Sequence, residues 1–177
     1  LPEKEGIVDR AKLLDISGRG RKIQLELSKK YKIEGFSTPA GGCLLAEEFF
    51  ADKLRDLINN KPDLLLKEVE ILKYGRHFRY NGSKIIVGRN NFENDKLMEL
   101  KGEKDISFVV PNCGSPTSIL QDVITDDTVR FAASLTAFYS DCKNERVIVE
   151  YDSEPFKIEV EFPKRDEIDK YNLQIRK

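Results

Sequence analysis

One cysteine, two clusters of basic residues and an asparagine-rich turn have residue types and spacing suited to chemistry. Cys43 follows Gly41-Gly42 and stands just ahead of a predicted helix. Backbone N–H groups at such a place stabilise an anion and lower a thiol pKa, so Cys43 reads either as a reactive thiolate or as a buried small hydrophobe. Cys113, in a Gly/Pro loop, and Cys142, at a helix end, read as passive. Three cysteines at wide spacing with no CxxC pair argue against a structural zinc site. His77 is the sole histidine, which removes most metal-ligand and triad schemes.

The basic residues suggest polyanion binding. Arg10, Lys12, Arg19, Arg21, Lys22, Lys29, Lys30 and Lys32 are opposed only by Asp15 and Glu26, a net of about +6 over residues 10–32. A positive field held on a rigid element attracts phosphates, and a solvated helix face has the same composition. A second cluster, Lys73, Arg76, His77, Arg79, Lys84 and Arg89, is interleaved with Tyr74, Phe78 and Tyr80. Arginines beside aromatics clamp phosphates and stack on unpaired bases. Alternation puts Phe78 and Tyr80 on one face and turns Arg79 outward. In Gly88-Arg89-Asn90-Asn91, between a strand and a helix, Gly88 is expected to serve the turn and Asn91 the helix cap. Arg89, Asn90 and Asn94 are then the ligand-facing groups, since amides donate and accept at once. The pairs Glu47-Glu48 and Asp126-Asp127 stand at helix starts, where carboxylates are stabilised without any reaction.

The elements that would carry these groups are legible in outline. Ile23, Leu27 and Tyr31 recur every four residues and predict a helix over 19–32. A second helix is predicted over 47–59, where Phe50, Leu54, Leu57 and Ile58 share a face. From residue 68 the pattern changes to alternation, so Val69, Ile71, Phe78 and Tyr80 suggest strands. Asn81-Gly82 is a two-residue hairpin turn joining 76–80 to 84–88. A helix over 91–100, a strand over 106–110, a helix over 126–142 and strands over 147–151 and 156–162 complete the reading. Pro111, Gly114 and Pro116 are expected to break the chain between them. The class is α+β: a mixed, largely antiparallel sheet with packed helices, after a small helical leader. A boundary near residues 60–68 divides the two.

Composition narrows the classes. The 177 residues are 40% hydrophobic, enough for one ordinary core, and 34% charged with a formal net of −1. A near-neutral chain binds nucleic acid only through a local patch. Apolar runs such as Ile85-Ile86-Val87 are too short to span a bilayer, and the N-terminal residues are not an export signal. The expected setting is a reducing cytoplasm, away from membranes. A first residue of Leu1 and a single methionine, Met98, suggest a piece of a longer protein.

Residues 75–162 resemble the RNA-binding domain of the NFACT proteins, especially the variant fused to PP-loop thiouridine synthases. The resemblance lies in Lys84-Ile85-Ile86-Val87-Gly88-Arg89-Asn90-Asn91-Phe92-Glu93-Asn94-Asp95, the strand Ile106–Val110, the turn Cys113-Gly114-Ser115-Pro116 and the helix ending Ala137-Phe138-Tyr139-Ser140. Asp9-Arg10, Gly18-Arg19-x-Arg21-Lys22-x-Gln24 and Pro39-Ala40-Gly41-Gly42-Cys43-Leu44-Leu45 resemble the end of the catalytic region in that PP-loop sulfurtransferase group. The resemblance implies two parts, residues 1–62 from the catalytic tail and 63–177 as the RNA-binding domain. It implies a tRNA-positioning portion of a thiolation enzyme, with Cys43 as a persulfide relay. Arg19, Arg21, Lys22, Arg76, Arg79, Lys84, Arg89, Asn90 and Asn94 are then the RNA contacts. The family's Ser-Gly-Gly-x-Asp-Ser signature is absent, so ATP and Mg2+ would act in the parent, and this portion alone needs no cofactor and does not turn over. The Trp-Phe-His stretch of better-known members is also missing; the corresponding place reads Ile106-Ser107-Phe108-Val109. Partners on this reading are tRNA, a sulfur-donor protein and a second copy of the chain. The rival is a module that dimerises or docks the sulfur donor without touching RNA.

Overall fold

The computed structural model describes residues 3–17, 21–35, 44–61, 63–144, 146–151 and 156–174. The chain divides into two compact units, Leu1–Cys43 and Leu44–Lys177. In the first, α1 (Lys22–Lys30) ends on Lys29 and Lys30, which suit the negative end of its dipole. The second helix, α2 (Glu48–Asn60), falls in the second unit with the sheet.

That sheet has six strands, β1 (Arg76–Tyr80), β2 (Ser83–Val87), β3 (Ile106–Val109), β4 (Ser118–Gln121), β5 (Arg146–Tyr151) and β6 (Phe156–Glu161). Their spatial order is β1-β2-β4-β3-β5-β6 and every pairing is antiparallel. The β1–β2 turn forms because Asn81 and Gly82 accept positive φ, 46° and 83°. Among the described residues six α-helices accompany the sheet, so the fold is α+β.

Each face of the sheet carries its own core. Phe78, Ile85, Val87, Leu120 and Phe108 face α5 (Asp126–Phe138), whose Ala132, Leu135 and Ala137 are fully buried. Burial on this scale stabilises by roughly 2 kcal/mol per large side chain. Thr125 caps α5 by accepting from the Thr128 N–H at 3.3 Å, while the Thr128 hydroxyl accepts from the Thr125 N–H at 2.9 Å. The cap therefore precedes the aspartates Asp126 and Asp127, which fill the first turn. On the opposite face Ile86 and Ile119 meet Ile71 and Leu97, and Leu72 meets Phe50 and Leu57 of α2.

The structure corrects the reading of residues 66–73. They form α3 (Leu66–Glu70) and a 3-10 turn at Ile71–Lys73, not a strand. Val69 lies with Leu72, three residues on, against α2, while Ile71 packs with Ile86 and Leu97, so the pair that mimicked alternation does not share a face. Gly75 ends this segment at φ 74°, where a Cβ would lie 2.8 Å from the Val87 carbonyl oxygen. Not anticipated were β4, which follows Pro116, a final helix, α6 (Arg165–Tyr171), which follows Pro163, and short 3-10 turns at Arg10–Lys12 and Leu44–Ala46. The helix α4 (Asn91–Leu100) follows β2 as expected. The turn at 152–155 lies outside the described residues.

Candidate nucleic-acid interface

The site begins where β2 runs out into α4. Asn90 is the helix cap, its Oδ1 accepting from the Glu93 N–H at 3.0 Å; the cap is thus one residue earlier than Asn91. Glu93, buried, organises the turn around itself. It accepts from the Gly75 N–H at 3.2 Å, the Arg89 N–H at 2.9 Å and the Arg89 guanidinium at 2.6 Å. Burial pushes its carboxyl up, but the side-chain and backbone hydrogen bonds from Arg89 outweigh this and leave its pKa lowered. Asn94, expected to face a ligand, borders the cavity above this turn and also ties α4 to the loop before β4: its Oδ1 accepts from the Thr117 N–H at 3.0 Å. Gly88 makes room for that amide, since a Cβ there would lie 2.1 Å from Asn94 Oδ1.

Above this turn lies an open cavity of about 250 Å3, bordered by Arg76, Arg89, Asn90, Asn91, Tyr139 and Asp141, with Gly114 and Ser115 from the loop before β4. The Arg76 guanidinium lies 4.6 Å from the centroid of the Tyr139 ring, in cation–π contact. Burial raises the Tyr139 phenol pKa, opposed by the charges of Arg165 and Arg76. Arg165 stands 6.0 Å from the Phe138 ring on the same side of the α5 terminus. Among the described residues Arg76 has no carboxylate partner. A cation left unpaired on an aromatic platform beside a cavity is what a phosphate or a stacked base needs. Asn91 and Phe92 are exposed at the start of α4 beside it, and Tyr74 meets the Phe92 ring edge-on at 6.1 Å.

Other sequence candidates lie elsewhere. Arg79 does not point outward: it is held by Asp56 at 2.6 Å and Asp122 at 2.8 Å, with its side chain 15% exposed. The face opposite Phe78 and Tyr80 is covered by α2, so alternation moved Arg79 from one buried side to the other. Lys84 pairs with Arg79 across the hairpin and is fully buried, its Nζ without a hydrogen-bond partner. Burial pushes its pKa down to about 8, against the attraction of Asp56. His77 is buried too, with its Nε2 at 2.7 Å from the Tyr74 carbonyl, and burial depresses its pKa well below the ordinary value. Arg21 and Lys22 are exposed in the first unit. Arg19 and Cys43 lie outside the described residues.

Sequence reasoning missed Tyr139 and Asp141 as site residues. Both sit at the end of α5, and only the fold carries them to the β2–α4 turn. A larger cavity of about 420 Å3 between α5 and β6 sets Asp127, Glu159, Glu161 and Glu167 against Arg130 and Arg146, a net negative border that suits a polyanion less well. Among the described residues no cluster of His, Cys, Asp or Glu is arranged to hold a metal, and no helix is long and apolar enough to cross a membrane.

Residues 75–172, which include every residue bordering the smaller cavity, match the family described as NFACT protein RNA binding domain. No curated protein matches the chain. Among solved structures the fold is similar to the C-terminal part of the fibronectin/fibrinogen-binding protein from Streptococcus suis, with a TM-score of 0.51 at 19% identity. That likeness covers 73% of this chain, which spans 63% of the other. The family match leaves out residues 9–45, on which the sulfurtransferase resemblance rests.

Proposed function

We propose, from the premise that this chain belongs to the family of NFACT protein RNA-binding domains, that it grips unpaired RNA at the cavity between the β2–α4 turn and the end of α5. The observation that supports this most is Arg76, stacked on Tyr139 and free of any carboxylate among the described residues. Its guanidinium carbon lies over the ring, and its donors, which meet no carboxylate among the described residues, are available for a base or a phosphate. Arg89 is anchored by Glu93 yet half-exposed, so it adds positive charge at the rim without collapsing into the cavity. The Asn90 and Asn91 amides supply the neutral donors and acceptors that base edges require.

We read the RNA as tRNA, held for a thiolating PP-loop partner domain with Cys43 as relay thiol. Support for that finer reading is the resemblance of residues 9–45, and its test is the upstream sequence, where a Ser-Gly-Gly-x-Asp-Ser element is expected. RNA binding is tested directly by fluorescence anisotropy with a labelled single-stranded oligonucleotide and with tRNA at low salt. Arg76→Ala is expected to weaken both by about five- to a hundredfold, since a stacked contact is worth roughly 1–3 kcal/mol. Equal affinity of variant and parent, at equal melting temperature, rules the cavity out. Absence of binding at low salt favours the protein-docking alternative.

A further inference from the structure

The cavity contains one group that RNA binding alone leaves unexplained: the carboxylate of Asp141. It borders the same space as Arg76 and Arg89, is exposed, and has no hydrogen-bond or ion-pair partner among the described residues. It forms no ion pair with Arg76 across the cavity. An ionised carboxylate accepts hydrogen bonds only, and it repels phosphate. On a surface that grips a polyanion it weakens binding unless the ligand offers N–H donors at that point.

The backbone that carries it is also fixed. The Asp141 N–H donates to the Gly114 carbonyl at 2.7 Å, and the side chain lies across Gly114. A Cβ on Gly114 would lie 2.1 Å from Asp141 Oδ2, so only glycine there leaves the carboxylate its place. The Ser115 hydroxyl, which accepts from the Val110 N–H at 2.8 Å, anchors the same loop to the end of β3. Sheet, loop and helix end therefore hold the backbone from which this acceptor reaches the cavity.

We propose that this cavity selects guanine, with Asp141 accepting from the Watson–Crick edge of an unpaired base. Of the four RNA bases guanine alone presents two adjacent donors on that edge, its ring N1–H and its exocyclic N2 amino group, and a carboxylate accepts both at once. Uracil offers one N–H flanked by carbonyls that the carboxylate repels; adenine and cytosine each offer one amino group beside an acceptor nitrogen. The Arg76 guanidinium on Tyr139 supplies a stacking plane for the extruded base. The Asn90 and Asn91 amides can donate to the guanine carbonyl. At about 250 Å3 the space is below the roughly 300–1,000 Å3 of pockets for drug-sized ligands, which suits a single base. The inference rests on the RNA-binding reading and adds to it which base is read.

The test uses the full chain and labelled nine-residue oligouridines carrying guanosine, inosine, adenosine, cytidine or uridine at the central position. Guanosine is expected to bind about tenfold tighter than uridine, in line with two hydrogen bonds to a charged acceptor. Inosine, which lacks the N2 amino group, is expected to fall between them. In Asp141→Asn the guanosine-to-uridine ratio is expected to drop to about one, while uridine binding strengthens as a repulsive charge leaves. Gly114→Ala tests the same point without removing the charge: it displaces the flexible end of Asp141 and is expected to erase the preference. Wild-type protein that binds all five oligomers alike, or an Asp141→Asn variant that keeps its preference, overturns guanine selection and leaves RNA binding standing. Failure to bind any oligomer at low salt overturns both.

Discussion

Arg76 and Arg79 are three residues apart on one strand, yet their surroundings give them opposite work. Arg79 is enclosed between Asp56 and Asp122, and burial, which disfavours its charge, is outweighed by those two carboxylates. Removing one partner of such a group leaves the others charged and unpaired, which costs about 3–5 kcal/mol. Arg79→Ala is therefore expected to lower the melting temperature steeply, while Arg76→Ala lowers RNA affinity with little change in melting; thermal unfolding beside anisotropy separates the two. Lys84 behaves differently again. Its folded pKa of about 8 lies below the ordinary value of 10.5, so the folded state resists its charge. Below pH 8 the penalty is complete, and stability rises as pH climbs from about 8 toward 10.5, where the unfolded chain still holds a proton that the folded chain has lost. Lys84→Met is expected to stabilise the protein at pH 7 by up to roughly 3 kcal/mol, and to remove that rise. Urea unfolding at pH 7 and pH 9.5 measures both; a variant less stable at pH 7 would show that Lys84 holds Asp56 more strongly than burial opposes it.

At the scale of elements, the β2–α4 turn is the part on which the cavity depends. Glu93 closes it by accepting from Gly75, which ends the segment before β1, and from Arg89 within the turn. Glu93→Gln keeps the size but halves the acceptor capacity and leaves the Arg89 guanidinium without its counter-charge. A loss of roughly 1–3 kcal/mol is expected, together with faster amide exchange at Gly75 and Arg89. Because the folded Glu93 pKa is lowered, its contribution is present above the ordinary carboxylate value and is lost as pH falls through the folded value. The variant should therefore unfold in acid with a shallower pH dependence than the wild type. Much of this framework was legible: the Asn81-Gly82 turn, the strand–Gly-Arg-Asn–helix order and the stripe of α5 are local patterns. What escaped was non-local. The acceptors of Arg79 lie 23 and 43 residues away in sequence, and no periodicity announces them. Asp141 meets Gly114 only because α5 crosses the sheet and ends there. β4 was hidden by its short length beside Pro116, and the helical turns over 66–73 by Val69 and Ile71, two apolar residues two apart that pack on different clusters.

For the molecule as a whole the question is how a chain of net charge −1 holds RNA at all. Many cations of the sheet unit are already committed: Lys61 to Glu68, Lys96 to Glu99, Arg146 to Glu161, Lys157 to Glu150. At the cavity only Arg76 and the half-exposed Arg89 can engage phosphate, so that unit alone should release about two counterions. The first unit carries Arg21, Lys22, Lys29, Lys30 and Lys32, all exposed. If α1 shares the strand, the count rises to about five and the log–log salt slope for single-stranded RNA steepens from about −1.4 to −3.5. Between 50 and 200 mM salt this separates a loss of roughly sevenfold from one of roughly a hundredfold. The steep value is expected for a strand long enough to reach both units, because each phosphate neutralised adds its own counterion release whatever separates the cations. Replacing Lys22, Lys29 and Lys30 by glutamine should then bring the slope near −1.4 while leaving the guanosine-to-uridine ratio intact, since attraction and base reading belong to different units. Equal slopes for the two proteins would make α1 an ordinary solvated helix.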